Sequence, residues 1–237
     1  DDAADEVVEE ASDTTAAPAT TAAPAQEESS SAPDGVFKLA IFQDPATQNL
    51  FKWYDTDTDA YSLYQMTGQS VSLFGISYPN YTLIPSMATE LIETSTDNGD
   101  GTFSYTVPIT EGYEWSDGNP ITAEDWVFTY NTAKGLPLLG QWAAVWPSNC
   151  EVECVTNVEA VDAYTVKISF NYDPGLTGWQ YGAALAPALS KAYWEQFATS
   201  REDLLAVSGA EAPVASAFVY DKIEQGAFYT WTYDSDT

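Results

Sequence analysis

Cys150 and Cys154 stand in a C-x-x-x-C spacing, and two thiolates alone leave half of a tetrahedral zinc shell empty. The pair is read as a local disulfide, with reduced thiols and a metal site as the alternatives; that reading depends on an exported, oxidising setting. Histidine is absent from all 237 residues, which removes Ser-His-Asp and Cys-His nucleophiles and every histidine-held zinc or haem site. Asp55-Thr56-Asp57-Thr58-Asp59 alternates acids as a calcium loop does. Its sixth position is Ala60, where a glycine must turn, and its twelfth is Met66, where a bidentate glutamate is required. A second window, Thr96 to Val107, has Gly101 at the turn but no acid at either end.

Two carboxylates could hydrolyse a glycoside without histidine, but 36 acidic residues make any pair available by chance, so an enzyme ranks last. No P-loop and no G-x-G-x-x-G occurs, so no nucleotide cofactor is expected. Aromatic residues are the more informative excess, with 8 Trp and 15 Tyr. Trp142 and Trp146 lie in a loop-like segment between Pro137 and Pro147, and Trp179 and Tyr181 follow the breakers Asp173-Pro174-Gly175. Aromatics in such segments either fill a core or wall a ligand site, since they offer broad apolar area at low entropic cost.

Those residues need a scaffold, and composition sets its limits. With 36 acidic and 7 basic residues the chain carries a charge of -29 and repels nucleic-acid phosphates, so no nucleic-acid partner is expected. Residues 1–35 read as a disordered, acidic Ala/Thr/Pro/Ser-rich linker with Val7 and Val8 as its only large aliphatics. Ten of the acids fall there; the remainder, 26 acidic against 7 basic, still carries -19. A folded body is expected over 36–237, where 45% apolar content in the whole chain supports a real core. No apolar run is long enough to span a bilayer, and no basic-then-apolar leader opens the chain, so an exported protein is expected in its mature form.

The pattern within 36–237 predicts a strand at Val36–Phe42. It also predicts a hairpin from Thr89–Thr96 and Thr102–Ile109 around Asp97-Asn98-Gly99-Asp100-Gly101. Thr122, followed by Glu124 and Asp125, opens a helix to about Lys134, with Ile121 stapling onto Trp126. Val155–Val161 and Tyr164–Phe170 read as strands around Asp162-Ala163. Ala188–Thr199 reads as an amphipathic helix, and Ser200 with Asp203 as another cap. Strands and helices without strict β-α-β alternation give a mixed α and β class, α+β.

Tyr113-Glu114-Trp115-Ser116-Asp117-Gly118-Asn119-Pro120-Ile121-Thr122-Ala123-Glu124-Asp125-Trp126-Val127-Phe128-Thr129-Tyr130 closely resembles the W-S-D-G-x-P-[VIL]-T-A-x-D signature of the bacterial extracellular solute-binding proteins of family 5. Those are the oligopeptide, dipeptide and nickel receptors of ABC importers. Further similarity lies at Gln43-Asp44-Pro45, Leu83 to Glu90, Gly101 to Ile109, Val158 to Ile168 and Pro213 to Phe228. Ala215-Ser216-Ala217 departs from the family, which usually has glycines there.

The resemblance implies the first lobe of a two-lobed periplasmic-binding-protein-like fold, with the second lobe missing, so the chain is expected to be an N-terminal fragment. It implies a non-enzymatic, extracytoplasmic receptor, monomeric, passing a peptide ligand to an ABC permease. The terminal linker would then be a stalk, with an acylated cysteine upstream as lipid anchor. An oligosaccharide receptor of the same fold and a non-transport acidic surface protein are the alternatives. Ligand contacts implied by position are Asp55, Thr56, Asp57 and Thr58, then Trp142 and Trp146 in the segment 141–146, then Trp179, Tyr181 and Ser216. Trp115 and Asp117 are expected to serve the fold.

Overall fold

In a computed structural model of the chain, which describes residues 39–57, 59–146, 154–224 and 226–233, the Asp97–Gly101 turn joins β3 (Thr96–Asp97) to β4 (Phe103–Pro108). Gly99 and Gly101 take φ of +80° and +87°, conformations that a side chain would strain. β5 (Val155–Asp162) and β6 (Thr165–Phe170) complete an antiparallel sheet of order β3-β4-β6-β5. Along β6, Val166, Ile168 and Phe170 are buried and alternate with half-buried Thr165, Lys167 and Ser169, the period of two that a one-sided sheet requires. On the other face, Lys167 pairs with Glu159 across the strands at 3.1 Å.

The helix α3 (Ala123–Gly135) covers the buried face. Ala123, Trp126, Tyr130 and Ala133 recur at three- and four-residue spacing and are all buried. Tyr130 donates its hydroxyl to the Val155 carbonyl at 3.0 Å, tying helix to sheet. The expected start at Thr122 is observed: the Asp125 carboxylate accepts the Thr122 N–H at 2.9 Å. Six tryptophans, at positions 115, 126, 142, 146, 179 and 194, are under 2% exposed and are the largest side chains of the core.

Smaller elements flank this sheet and helix. α1 (Leu50–Asp55) and α2 (Ala60–Gln65) precede a two-stranded hairpin, β1 (Phe74–Ile76) with β2 (Leu83–Pro85). α4 (Trp142–Val145) follows α3, and α5 (Lys191–Trp194) and α6 (Arg201–Ala206) precede a second hairpin, β7 (Phe218–Glu224) with β8 (Phe228–Tyr233). Among the described residues the strand pairings are antiparallel, as expected for the α+β class.

Three expectations are corrected. Of the predicted strand Val36–Phe42, residues 36–38 lie outside the described residues, and Leu39–Phe42 are irregular. A strand needs a ladder, and among the described residues none lies beside this run. The predicted strand Thr89–Thr96 shrinks to β3. Its backbone is held otherwise, with the Trp179 indole donating to the Ile92 carbonyl at 2.9 Å. The predicted helix Ala188–Thr199 shortens to α5 and a 3-10 turn at Glu195–Phe197. Ala188 exchanges backbone hydrogen bonds with Val71 at 2.7 and 3.0 Å, and Leu189 N–H is taken by the Thr129 hydroxyl, so neither can be helical.

Candidate functional site

α1 begins because Asn49 caps it, its side-chain oxygen accepting Lys52 N–H at 3.0 Å. The Asn49 amide nitrogen also donates to the Leu204 and Val207 carbonyls at the end of α6, at 2.8 and 2.9 Å. α1 ends at Asp55, whose buried carboxylate accepts Leu139 N–H at 2.5 Å and pairs with Arg201. Gln141 N–H donates to Tyr54 O at 2.7 Å, and the Tyr54 and Trp142 rings lie 4.7 Å apart. The end of α1 and the segment 139–146 are therefore one junction, uniting two of the segments that the sequence assigned to a ligand. Gly140 permits it: at φ +61°, a Cβ there would come within 2.6 Å of Tyr54 O.

Side chains within the junction divide into buried and open. The Asp55 carboxylate is fully occupied inside the protein, which corrects its assignment as a ligand contact. Asp57 is half-buried and pairs with Lys52 at 3.0 Å, Thr56 is exposed, and Thr58 lies outside the described residues. Asp59 caps α2, accepting Tyr61 and Ser62 N–H at 3.1 and 2.8 Å. The acids of this run serve helix ends and ion pairs.

The tryptophans also prove internal. Trp142 donates its indole N–H to Phe51 O at 3.0 Å and packs on Phe51; Trp146 packs edge-on against Tyr130 at 5.4 Å. Trp179 stacks on Tyr105 with centroids 3.6 Å apart and planes 6° apart. At 1% exposure each, these three rings are core, correcting the reading that they wall a ligand site. Burial, with the negative Asp173 nearby, pushes the Tyr105 hydroxyl up to about 12.

Tyr181 and Ser216 lie in two further places. Tyr181 is exposed and donates its hydroxyl to Tyr81 O at 3.1 Å, beside Gln180 Nε2, which donates to the same oxygen at 2.9 Å. Tyr81 has φ +54°, unusual for a side-chain-bearing residue, and with Tyr78 it forms an exposed aromatic tip on the β1–β2 connection. Half-buried Ser216 lies in a stretch that runs between two turns: Ala215 N–H donates to Gly68 O at 2.7 Å, and Ser116 N–H to Val214 O at 2.8 Å. The signature turn thus grips the stretch in which alanines and serine replace the family's glycines. Trp115 is buried at 1%, and Asp117 accepts the turn's Asn119 N–H at 3.1 Å, in keeping with the structural roles expected of them.

Sequence reasoning missed Arg201 and Lys191. Arg201 closes the Asp55 junction. Lys191 donates its backbone N–H to Asp125 at 2.8 Å and its ammonium to Glu124 at 3.0 Å. Burial raises the Asp125 carboxyl above its ordinary range, outweighing the Lys191 and Thr122 N–H donors that favour its ionised form. Nothing in local spacing marks such pairs, because their partners are more than 60 residues away. Cys154 is disulfide-bonded, and Cys150 lies outside the described residues. Among the described residues no group of three or more His, Cys, Asp or Glu is placed to hold a metal, and no helix is long and apolar enough to cross a membrane.

A sequence model described as bacterial extracellular solute-binding proteins, family 5 (middle), matches residues 82–227, more than half of the chain. The chain belongs to family 5 of the extracellular solute-binding proteins. The match spans the signature turn, α3, the β5–β6 pair and β7, the first strand of the last hairpin. Solved structures of similar fold include a periplasmic oligopeptide-binding protein of an oligopeptide ABC transporter from Thermotoga maritima with mannohexaose bound (TM-score 0.61, 21% identity, 83% of this chain and 32% of that one). AppA from Bacillus subtilis, in complex with a nonapeptide, gives TM-score 0.57 at 19% identity, over 82% and 35% of the two chains. NikZ from Campylobacter jejuni with Ni(L-His) gives 0.55 at 19%, over 81% and 34%. This family 5 chain spans about a third of the length of those proteins. No curated protein sequence matches it.

Proposed function

We propose that this family 5 chain is part of the extracytoplasmic substrate-binding component of an ABC importer and captures peptide-like solutes for a membrane permease. The observation that carries the reading is the family match over residues 82–227, which contains the signature that forms the Trp115–Gly118 turn and the start of α3. In that role the protein binds without turnover, outside the cytoplasmic membrane, and residues 1–35 act as a stalk below a lipid anchor. The chain then contains much of one lobe, and the ligand is held between it and a second.

Thr56 and Asp57, at the open rim of the α1–segment 139–146 junction, are the side chains we assign to the peptide, with Tyr181 and Ser216 as outlying contacts. The rigidity of the junction supports this: Asp55, Arg201, Leu139 and Gly140 fix the rim, and a pre-ordered rim lowers the entropic cost of binding. Native mass spectrometry of this lobe joined to the second lobe that the proposal requires, with a mixed di- to hexapeptide pool, tests the assignment. The expected result is one retained peptide adduct that is lost in the Thr56→Ala, Asp57→Ala double variant. Retention of no peptide contradicts it.

A second reading, capture of oligosaccharide, is favoured by the exposed rings of Tyr78, Tyr81 and Tyr181, since sugar faces stack on aromatic planes. It predicts retention of a manno-oligosaccharide in place of peptide.

A further inference from the structure

The turn between β3 and β4 places Asn98 directly before Gly99, a side-chain amide beside an unhindered backbone nitrogen, and such a pair can close on itself to a cyclic imide. Both residues are exposed, and a Cβ placed on Gly99 would meet nothing within 4 Å, so the nitrogen that must approach is unobstructed. The Asp97 carboxylate accepts Gly99 N–H at 2.8 Å. The hydroxyl of Ser104, a buried residue of β4, donates to Asn98 Oδ1 at 3.2 Å. The Asn98 amide nitrogen donates to Thr102 Oγ1 at 2.9 Å. Charge fixes the orientation of that amide. The Thr102 hydroxyl gives its proton to the Asp100 carboxylate at 2.6 Å, so its oxygen can only accept from Asn98, which must turn its NH2 to Thr102 and its oxygen to Ser104.

We propose that this turn is a self-modifying site, at which the fold catalyses deamidation of Asn98. Asp97 is the general base that takes the Gly99 amide proton, and the freed nitrogen attacks Asn98 Cγ. Ser104 stabilises the negative charge that develops on Oδ1, as an oxyanion-hole donor does. Thr102 is a positioning residue, since its hold on the amide nitrogen keeps the oxygen turned to Ser104. The new bond joins Gly99 N to Asn98 Cγ and the Cγ–Nδ2 bond breaks; the nitrogen leaves as ammonia after the proton held by Asp97 is returned to it through water. Water then opens the imide at either carbonyl, giving aspartate or isoaspartate at this position. The reaction consumes water and releases ammonia, with no change of oxidation state. It adds a negative charge to an acidic chain, and the isoaspartate form also adds a methylene to the backbone of the turn. None of the residues assigned to the peptide takes part.

The test incubates the whole chain at neutral pH, folded and in urea, and follows the conversion of Asn98 by peptide mass spectrometry with chromatographic separation of the isoaspartate form. A pair that reacts by its sequence alone gains nothing from the fold, which only restricts the approach of nitrogen to carbon, so it is at least as fast in urea. The expected result is conversion at least about tenfold faster in the folded chain. Asp97→Asn keeps a side-chain oxygen for Gly99 N–H but removes the base, and Ser104→Ala removes the donor to Oδ1. Each should slow the folded chain about tenfold or more and leave the rate in urea unchanged. A folded rate at or below the rate in urea, or a folded rate unchanged in either variant, would overturn the proposal. Peptide binding is read in a separate assay on different residues, so either proposal can fail alone.

Discussion

The Asp55 side chain is fully buried and pairs with Arg201, 146 residues further along the chain, while its other oxygen accepts the backbone N–H of Leu139. One carboxylate therefore joins the end of α1, the start of α6 and the segment leading into α4. Removing the cation leaves a buried charge with one remaining donor, which is more damaging than the pair is stabilising. Arg201→Met should cost about 2–4 kcal/mol in urea unfolding, the exposed half of the arginine keeping the loss below that of a fully buried pair. Asp55→Asn should cost less. A loss below about 0.5 kcal/mol for Arg201→Met would show that the junction does not depend on the pair.

Gly140 makes the same junction possible from the backbone side. Gly140→Ala places a Cβ in a left-handed conformation against two carbonyl oxygens, those of Tyr54 and Asp55. A loss of about 3 kcal/mol or more is expected in thermal or urea unfolding, from conformational strain plus overpacking. The same substitution at Gly99, where a Cβ meets nothing within 4 Å, should cost only the conformational part, about 1–2 kcal/mol. Equal losses at the two glycines would contradict the close approach at Gly140.

These junctions show where the sequence was legible. The Asn-Gly and Asp-Gly pairs at 98–101, the cap at Thr122–Asp125, the turn at Asp162 and the cap at Ser200 are local signals, and each appears where the residues predict it. The caps at Asn49 and Asp59 carried the same kind of signal for α1 and α2, but the alternating acids drew attention to ligand chemistry instead. The helix expected over 188–199 was shortened by Val71 and Thr129, and the strand over 89–96 by Trp179, partners that no local window contains. Trp142, Trp146 and Trp179 could not be sorted into core or site by spacing, because a buried ring and a ligand-facing ring have the same neighbours in sequence. Trp142 and Trp179 each meet their hydrogen-bond acceptor across at least 87 residues.

Asp125 gives the protein a pH signature. Burial raises its folded-state pKa above the unfolded value near 4, so its protonated form is favoured by folding. Stability from this group is then present at low pH and is lost as pH rises from about 4 through the raised value. Asp125→Asn removes that loss, so the variant's unfolding free energy should fall less steeply over this window than the parent's. The variant is also expected to be less stable at pH 4, since an amide has one oxygen for the two backbone N–H donors of Thr122 and Lys191. Parallel pH profiles would contradict the raised value.

Charge repulsion predicts a salt response of definite sign. Among the described residues four ion pairs, Lys52–Asp57, Lys167–Glu159, Lys191–Glu124 and Arg201–Asp55, engage four of the chain's 7 basic residues, against 36 acids in the chain. Exposed pairs contribute at most about 1 kcal/mol each, so screening them costs little, whereas screening the net repulsion helps the compact state. The thermal midpoint should rise between about 0.01 and 1 M sodium chloride, as the Debye length falls from about 30 to 3 Å. A falling midpoint would mean that the pairs outweigh the repulsion.

Peptide capture is the central claim, and thermal unfolding of this lobe joined to the second lobe that the proposal requires, in the presence of defined peptide and manno-oligosaccharide pools, tests it most directly. A ligand present at about 100 times its Kd stabilises the folded state by about 2.7 kcal/mol. The account predicts a saturable rise in midpoint with peptides that is reduced in the Thr56→Ala, Asp57→Ala variant, and none with the oligosaccharides. A rise with the oligosaccharides alone, or with neither pool, would contradict it.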